Sequence, residues 1–122
     1  MIEEDIRKAF TFIEPGPATL VTAHDGISDS LMTISWIMAV GNEPNCLLAL
    51  SSGSWSHTFD VMLESGESVV SVPTVEMARD VVEMGVESSL EVDKFARHGL
   101  IKARGSIAPL VENCIPRQYT PQ

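Results

Sequence analysis

The chain has 122 residues, of which 44% are hydrophobic and 20% charged, and its formal net charge is −9. This composition is too apolar for disorder, and the length suits a single folded domain over residues 1–122. The excess of acidic residues argues against nucleic acid or an anionic membrane surface as a partner, because both repel such a field.

The acidic N-terminus Met1-Ile2-Glu3-Glu4-Asp5 lacks the basic and apolar regions of a signal peptide, and no apolar run is long enough to span a membrane. Cys46 and Cys114 have no CxxC spacing and no histidines close by. They are expected to be free or buried thiols in a reducing cytoplasm. The three histidines lack metal-ligand spacing, so no metal site is predicted.

The pattern of the first half of the chain predicts one helix followed by strands. Helical spacing of apolar residues predicts a helix over residues 3–13, which Pro15-Gly16-Pro17 ends. A strand over Ala18–Ala23 leads to the turn pair Asp25-Gly26. A second strand is predicted over Leu31–Val40.

The middle of the chain predicts a buried strand and a capped helix. Cys46–Leu50 is almost entirely apolar, so this strand is expected to be buried on both faces or closed into a barrel. The loop Ser51–Ser54 leads to a helix over Ser56–Leu63, closed by Ser65-Gly66. A further strand covers Glu67–Val72.

The last third predicts two helices and a strand. Thr74 is the expected cap of a helix whose apolar face consists of Val75, Ala78, Val82 and Val86. A shorter helix has Ser89 as its expected N-cap and Gly99 just past its end, and Leu100–Ile107 follows as the last strand. The pattern predicts an α+β domain, mainly β, around a small antiparallel sheet or barrel.

Strand alternation places the hydroxyls of Thr33 and Ser35 on one face, and Met32, Ile34 and Trp36 on the other. Such hydroxyls suit the polar edge of a flat heterocycle. They also suit an ordinary half-buried strand, and the string alone favours that second interpretation.

The serine-rich segment Ser51–Thr58 follows a strand and opens a helix. Its backbone N–H groups and hydroxyls could converge on an anion at the helix N-terminus, or they could form a simple capping loop. Lys94, between Asp93 and Phe95, is either a point charge for a phosphate or a surface lysine paired with Asp93.

The order of these strings resembles the flavin reductase-like family of FMN-binding split barrels, in particular its flavoredoxin branch. The resemblance runs from Pro15 to Cys114. It is carried by the following strings: Pro15-Gly16-Pro17-Ala18-Thr19, Met32-Thr33-Ile34-Ser35-Trp36, Ser51–Thr58, Ser71-Val72-Pro73-Thr74, and Val92-Asp93-Lys94-Phe95 with Gly99-Leu100.

The resemblance implies a split β-barrel with short inserted helices, which forms a homodimer and binds FMN noncovalently. It further implies electron transfer from a reduced nicotinamide or a redox partner protein, with no catalytic side chain required. Thr33, Ser35 and Trp36 would contact the flavin. Ser51, Gly53, Ser54 and Thr58 would approach the ribityl-phosphate, and Lys94 would be a second phosphate ligand.

The chain departs from the family pattern at three places. Ser30 stands where the family often has asparagine, and Ser56-His57-Thr58 lacks the usual basic residue. Residues 115–122 form an atypical tail, so the domain is expected to be shortened at its C-terminus. The main interpretation is an FMN-dependent oxidoreductase, and the alternatives are a non-catalytic electron carrier or a dimerisation module without activity.

Overall fold

The computed structural model describes residues 16–52, 56–103 and 108–114. Its strands are β1 (Thr19–His24), β2 (Asp29–Ile34), β3 (Ile37–Gly41), β4 (Leu47–Leu50), β5 (Val69–Ser71), β6 (Lys102–Ala103) and β7 (Leu110–Val111). Its helices are α1 (His57–Ser65), α2 (Ala78–Val86) and α3 (Lys94–Arg97), and a 3-10 turn over Val75–Met77 precedes α2. The helix predicted over residues 3–13 lies outside the described residues.

A three-stranded antiparallel sheet in the order β2-β1-β5 forms the centre of the domain. The predicted turn at Asp25-Gly26 is confirmed. The Asp25 carboxylate accepts hydrogen bonds from the backbone N–H groups of Ile27 and Ser28 at 2.8 and 2.7 Å. Gly26 has φ +93°, a left-handed conformation that glycine adopts without a steric penalty.

The single strand predicted over Leu31–Val40 is wrong, because the chain changes sheets within it. β2 ends at Ile34, and after Ser35-Trp36 the chain enters β3, which pairs only with β4 among the described residues. Apolar alternation continues across this break, so the pattern contains no signal for the change of partner strand.

The burial predicted for Cys46–Leu50 is also wrong. Ile37 and Leu50, at one end of the β3–β4 pair, pack against the buried cluster of Val21, Met32 and Ile34. The side chains further out are exposed, and we call them the apolar ribbon: Met38, Val40, Leu47 and Leu48. An apolar strand is buried only where a second layer covers it, and no described element does so here.

Helix α1 covers His57–Ser65, close to the predicted Ser56–Leu63, and Gly66 ends it as predicted. Ser56 is the N-cap, since its Oγ accepts a hydrogen bond from the Phe59 N–H at 3.3 Å. Gly66 ends the helix at φ +70°, and its N–H donates to the Met62 carbonyl at 3.0 Å.

The apolar face predicted for the next helix is wrong. Val75, Val82 and Val86 are exposed, whereas Met77, Val81 and Met84 are buried. The segment begins as a 3-10 turn, and Thr74 makes no side-chain capping hydrogen bond there. Both stripes of the helix are apolar, so only the packing of α2 against β2 decides which one is buried.

The short helix α3 is capped by Asp93, not by Ser89 as predicted. The Asp93 carboxylate accepts from the Ala96 N–H at 3.2 Å, and Gly99 follows the helix at φ +62°. The last strand is shorter than predicted, since β6 covers Lys102–Ala103 and residues 104–107 lie outside the described part.

The main buried cluster lies between the central sheet and helices α2 and α3, and it consists of Leu20, Leu31, Met77, Val81, Met84, Phe95, Val111 and Cys114. The mixture of strands and short helices agrees with the predicted α+β class. The three sheets of the described residues do not join into a closed barrel. None of the described helices is long and apolar enough to cross a membrane.

Candidate functional site

A cavity of about 380 Å³ opens where β2 ends, α1 begins and the segment after α2 passes. Its size falls within the range of small-molecule and cofactor sites. Its lining comes from three separate parts of the chain: Met32, Thr33, Ile34, Ser35, Trp36, Ser51, Ser52, Ser56, His57, Thr58, Met84, Gly85, Glu87, Ser89 and Lys94. Of the predicted cofactor-binding residues, Gly53 and Ser54 lie outside the described residues.

The first part of the lining comes from the end of β2. Thr33 is half-buried, and its hydroxyl donates to the Val81 carbonyl at 2.7 Å. Ser35 and Trp36 lie beyond the strand and are exposed. Within β2 the predicted alternation holds, because Met32 and Ile34 join the buried cluster with Val21 whereas Thr33 faces α2. Residues from both sets nevertheless line the cavity.

The second part is the serine-rich segment that leads into α1. The Ser51 N–H donates to the Trp36 carbonyl at 2.9 Å, which ties this segment to the end of β2. The Ser56 hydroxyl donates to the Met32 sulfur at 3.3 Å while it caps the helix. The N-terminus of α1 thus lies at the cavity wall, where the helix dipole favours an anion.

The third part of the lining includes four residues that are not among the predicted site residues, namely Met84, Gly85, Glu87 and Ser89. Gly85 carries the signal that could have found them, because a glycine inside a helical pattern often marks a close approach. A Cβ atom at this position would lie 3.5 Å from the Thr33 Cβ. This is an ordinary van der Waals distance, so Gly85 places the end of α2 in direct contact with Thr33 at the wall of the cavity.

Lys94 is buried, with 5% of its surface exposed, so it is not the surface lysine of the alternative interpretation. Its ammonium donates to the backbone carbonyls of Leu31 and Met84, each at 2.8 Å. Burial lowers the pKa of Lys94, and the carboxylate of Glu87 acts in the opposite direction. Lys94 lines the cavity, and its contact with a phosphate stays a prediction.

Glu87 lines the cavity and is held by two basic partners. His98 Nε2 lies 2.8 Å from Glu87 Oε2, and the Arg97 Nε donates to the other carboxylate oxygen at 2.8 Å. The hydrogen bond from His98 and the charge of Arg97 together hold the pKa of Glu87 below its usual value, against the effect of desolvation.

His98 is almost fully buried between two carboxylates. Its Nδ1 lies 3.1 Å from Asp80 Oδ1, opposite the contact with Glu87. Burial lowers the pKa of His98, but the hydrogen bonds to Glu87 and Asp80 outweigh it and raise the pKa overall. Asp80, Glu83 and His98 offer ligand atoms within 4.8 Å of one another, although Glu83 is paired with Arg79 and both His98 nitrogens face carboxylates.

The model of the flavin reductase like domain matches residues 13–117. The chain belongs to this family. The match includes every described part of the cavity, so the site lies inside the family domain.

Three solved structures show similar folds. Flavoredoxin of Desulfovibrio vulgaris (Miyazaki F) is 29% identical with a TM-score of 0.74, covering 80% of this chain and 55% of that protein. Flavoredoxin from Methanosarcina acetivorans is 25% identical with a TM-score of 0.80, covering 93% and 59%. An FMN-binding domain of a flavin reductase-like enzyme from Shewanella baltica OS155 is 25% identical with a TM-score of 0.74, covering 91% and 59%.

This chain thus spans a little under three fifths of the length of these three proteins. This chain shares the family and the fold with these proteins, whereas the activities of the longer proteins are not carried over with the fold.

Proposed function

We propose that this protein binds FMN noncovalently in the cavity and passes electrons through it, from a reduced nicotinamide or from a redox partner protein. One observation supports this proposal above the others: residues 33–36, 51–52, 56–58 and 94 come together at one cavity. The sequence resemblance assigned flavin contacts to these same segments.

The side chains of the cavity suit FMN in chemical terms. Hydroxyl groups of Thr33, Ser35 and Ser51 offer hydrogen bonds to a polar ring edge or a ribityl chain, and Trp36 offers an aromatic surface. The N-terminus of α1, near Thr58, favours a phosphate. Bound flavin would supply the redox chemistry, while these residues bind and orient it.

Titration of the purified protein with FMN, followed by quenching of flavin fluorescence, tests the proposal directly. We expect saturable binding of one FMN per chain. Absence of binding up to millimolar FMN would show that the protein is not a flavoprotein.

Two exposed serines allow a matched test of how the cofactor is oriented. Ser51→Asp places a negative charge at the predicted phosphate end, and Ser35→Asp places the same charge at the predicted ring end. We expect Ser51→Asp to weaken FMN at least about tenfold more than riboflavin, which has no phosphate. Ser35→Asp should affect the two ligands similarly. The reverse result would invert the proposed orientation.

The alternative of a non-catalytic carrier is supported by the similarity to two flavoredoxins. Steady-state oxidation of reduced nicotinamide with added FMN separates the two functions. A flavin reductase should turn over many equivalents of nicotinamide per protein. A carrier should bind FMN and show no such turnover.

We also propose that a second copy of the chain covers the apolar ribbon and so completes a split-barrel homodimer. Its support is the exposure of four large apolar side chains on adjacent strands, since such patches are typical of interaction surfaces. Val40→Glu should shift a dimer to monomer in sedimentation velocity. Val82→Glu is the control, because Val82 is equally apolar and even more exposed but lies on α2. Dissociation by Val82→Glu alone would place the interface on α2.

A further inference from the structure

The outer edge of β2 is closed by side chains instead of by another strand. In the described sheet β2 is an edge strand, since it pairs only with β1. Ser89 Oγ accepts from the Leu31 N–H at 3.3 Å and donates to the Leu31 carbonyl at 3.0 Å. The same carbonyl accepts from the Lys94 ammonium at 2.8 Å. Open edges of sheets need such cover, and here it lies beside the cavity.

The ammonium of Lys94 also reaches the end of α2. Its second hydrogen bond goes to the carbonyl of Met84, within the last turn of that helix. Carbonyls in the last turn lack partners within the helix, and a cation there is favoured by the helix dipole. One buried ammonium therefore joins β2, the end of α2 and the start of α3.

The two elements joined in this way form adjoining walls of the cavity. On β2, Met32 and Thr33 line the cavity and directly follow Leu31. On α2, both Met84 and Gly85 line it. The hydroxyl of Thr33 makes a further bond to α2, at the Val81 carbonyl. Apolar packing of Leu31, Val81 and Met84 brings these two elements together. A few polar contacts also bridge them, and among the described residues those of Lys94 are the ones made by a charged group.

We propose that Lys94 is a positioning residue for the cavity, which holds β2 at a fixed distance from the end of α2 through the Leu31 and Met84 carbonyls. Two of its three N–H donors are committed to these carbonyls. It acts on a bound ligand through the backbone of the two walls, not by contact with a phosphate. Its effect on flavin rests on the function proposed above, whereas the link between the walls does not.

Lys94→Met tests the proposal, because methionine keeps a long apolar side chain and removes the donors and the charge. Lys102→Met is the matched control. It removes the same charge from a more exposed lysine, whose ammonium bonds Asp29 at 2.7 Å outside the cavity lining. Hydrogen exchange of the unliganded protein should speed up in residues 31–34 and 81–87 of Lys94→Met. Lys102→Met, whose contact with β2 is confined to Asp29, should leave exchange in these two segments unchanged.

Binding then separates positioning from phosphate contact. Lys94→Met should weaken FMN and riboflavin by the same factor, about tenfold or more, and at saturation it should change the visible circular dichroism of the bound flavin. A merely structural lysine would leave that spectrum of the folded, saturated protein unchanged. A loss for FMN at least about tenfold larger than for riboflavin would overturn the proposal and make Lys94 a phosphate ligand.

Ser89→Ala keeps the proposal testable if Lys94→Met does not fold. It removes one partner of Leu31 and leaves Lys94 in place, so exchange should speed up in residues 31–34 while residues 81–87 stay protected by the bond to Met84. Faster exchange in both segments, or in neither, would contradict the arrangement. If the wild-type protein binds neither flavin, the proposed function fails, and the exchange patterns still decide whether Lys94 links the walls.

Discussion

The central sheet and the apolar ribbon are built from similar residues, yet they differ completely in burial. Leu20, Val21 and Leu31 of the central sheet are inaccessible to solvent, whereas Leu47 and Leu48 of β4 are about half exposed. The central sheet has α2 and α3 on one face and α1 with the base of the ribbon on the other. The comparison shows that an apolar strand contributes to the core only through the layers that cover it.

Leucine truncation should break this comparison most visibly. Leu20→Ala leaves a cavity in the main buried cluster and should lower the free energy of unfolding by about 2–5 kcal/mol. Leu48→Ala should cost about 1 kcal/mol or less in the monomer. Urea denaturation at low protein concentration measures both. Equal costs would mean that the ribbon is buried as deeply as the central sheet.

Two adjacent valines of α2 sharpen the comparison on a single helix. Val81 is 4% exposed and Val82 is 70% exposed. Val81→Ala should lower the free energy of unfolding by about 1–3 kcal/mol, because most of a buried side chain is lost. Val82→Ala should stay within about 0.5 kcal/mol, since it removes little buried surface and alanine favours helix. If Val82→Ala proves the more damaging, the face predicted from sequence is the buried one.

The smallest effect should come from His98, which joins α2 to the end of α3. Its raised pKa means that protonated His98 stabilises the fold fully below its unfolded pKa, near 6.5, and loses this effect as pH rises through the folded pKa. The lowered pKa of Glu87 adds stability above its unfolded value of 4.5, which is lost as pH falls through the folded value.

The difference in the free energy of unfolding between the wild type and His98→Gln should therefore be largest in mildly acidic solution. It should decline at higher and at lower pH. Urea midpoints across this pH range measure it. A difference that stays constant with pH would show that the charge of His98 does not contribute.

Much of the local structure was predictable because short-range chemistry fixes it. The Asp25-Gly26 turn, the Ser56 cap and the Gly66 end of α1 each follow from hydrogen bonds within a few residues. The sequence also predicts which segments meet, since residues 33–36, 51–52, 56–58 and 94 line one cavity. What each of these residues contacts was not predictable, as Lys94 shows, because its carbonyl partners are 63 and 10 residues away.

The sequence by itself determined the family, the antiparallel character of the strands and the segments that meet at the cavity, because motifs and turns depend on neighbouring residues. Tertiary structure alone decided where β2 ends and β3 begins, and which stripe of α2 is buried. It also decided that Ser89 and Lys94 donate hydrogen bonds to the Leu31 carbonyl. The physical reason is the same in each case. Burial and long-range hydrogen bonds depend on which surfaces meet, and an apolar or polar residue in a pattern does not specify its partner.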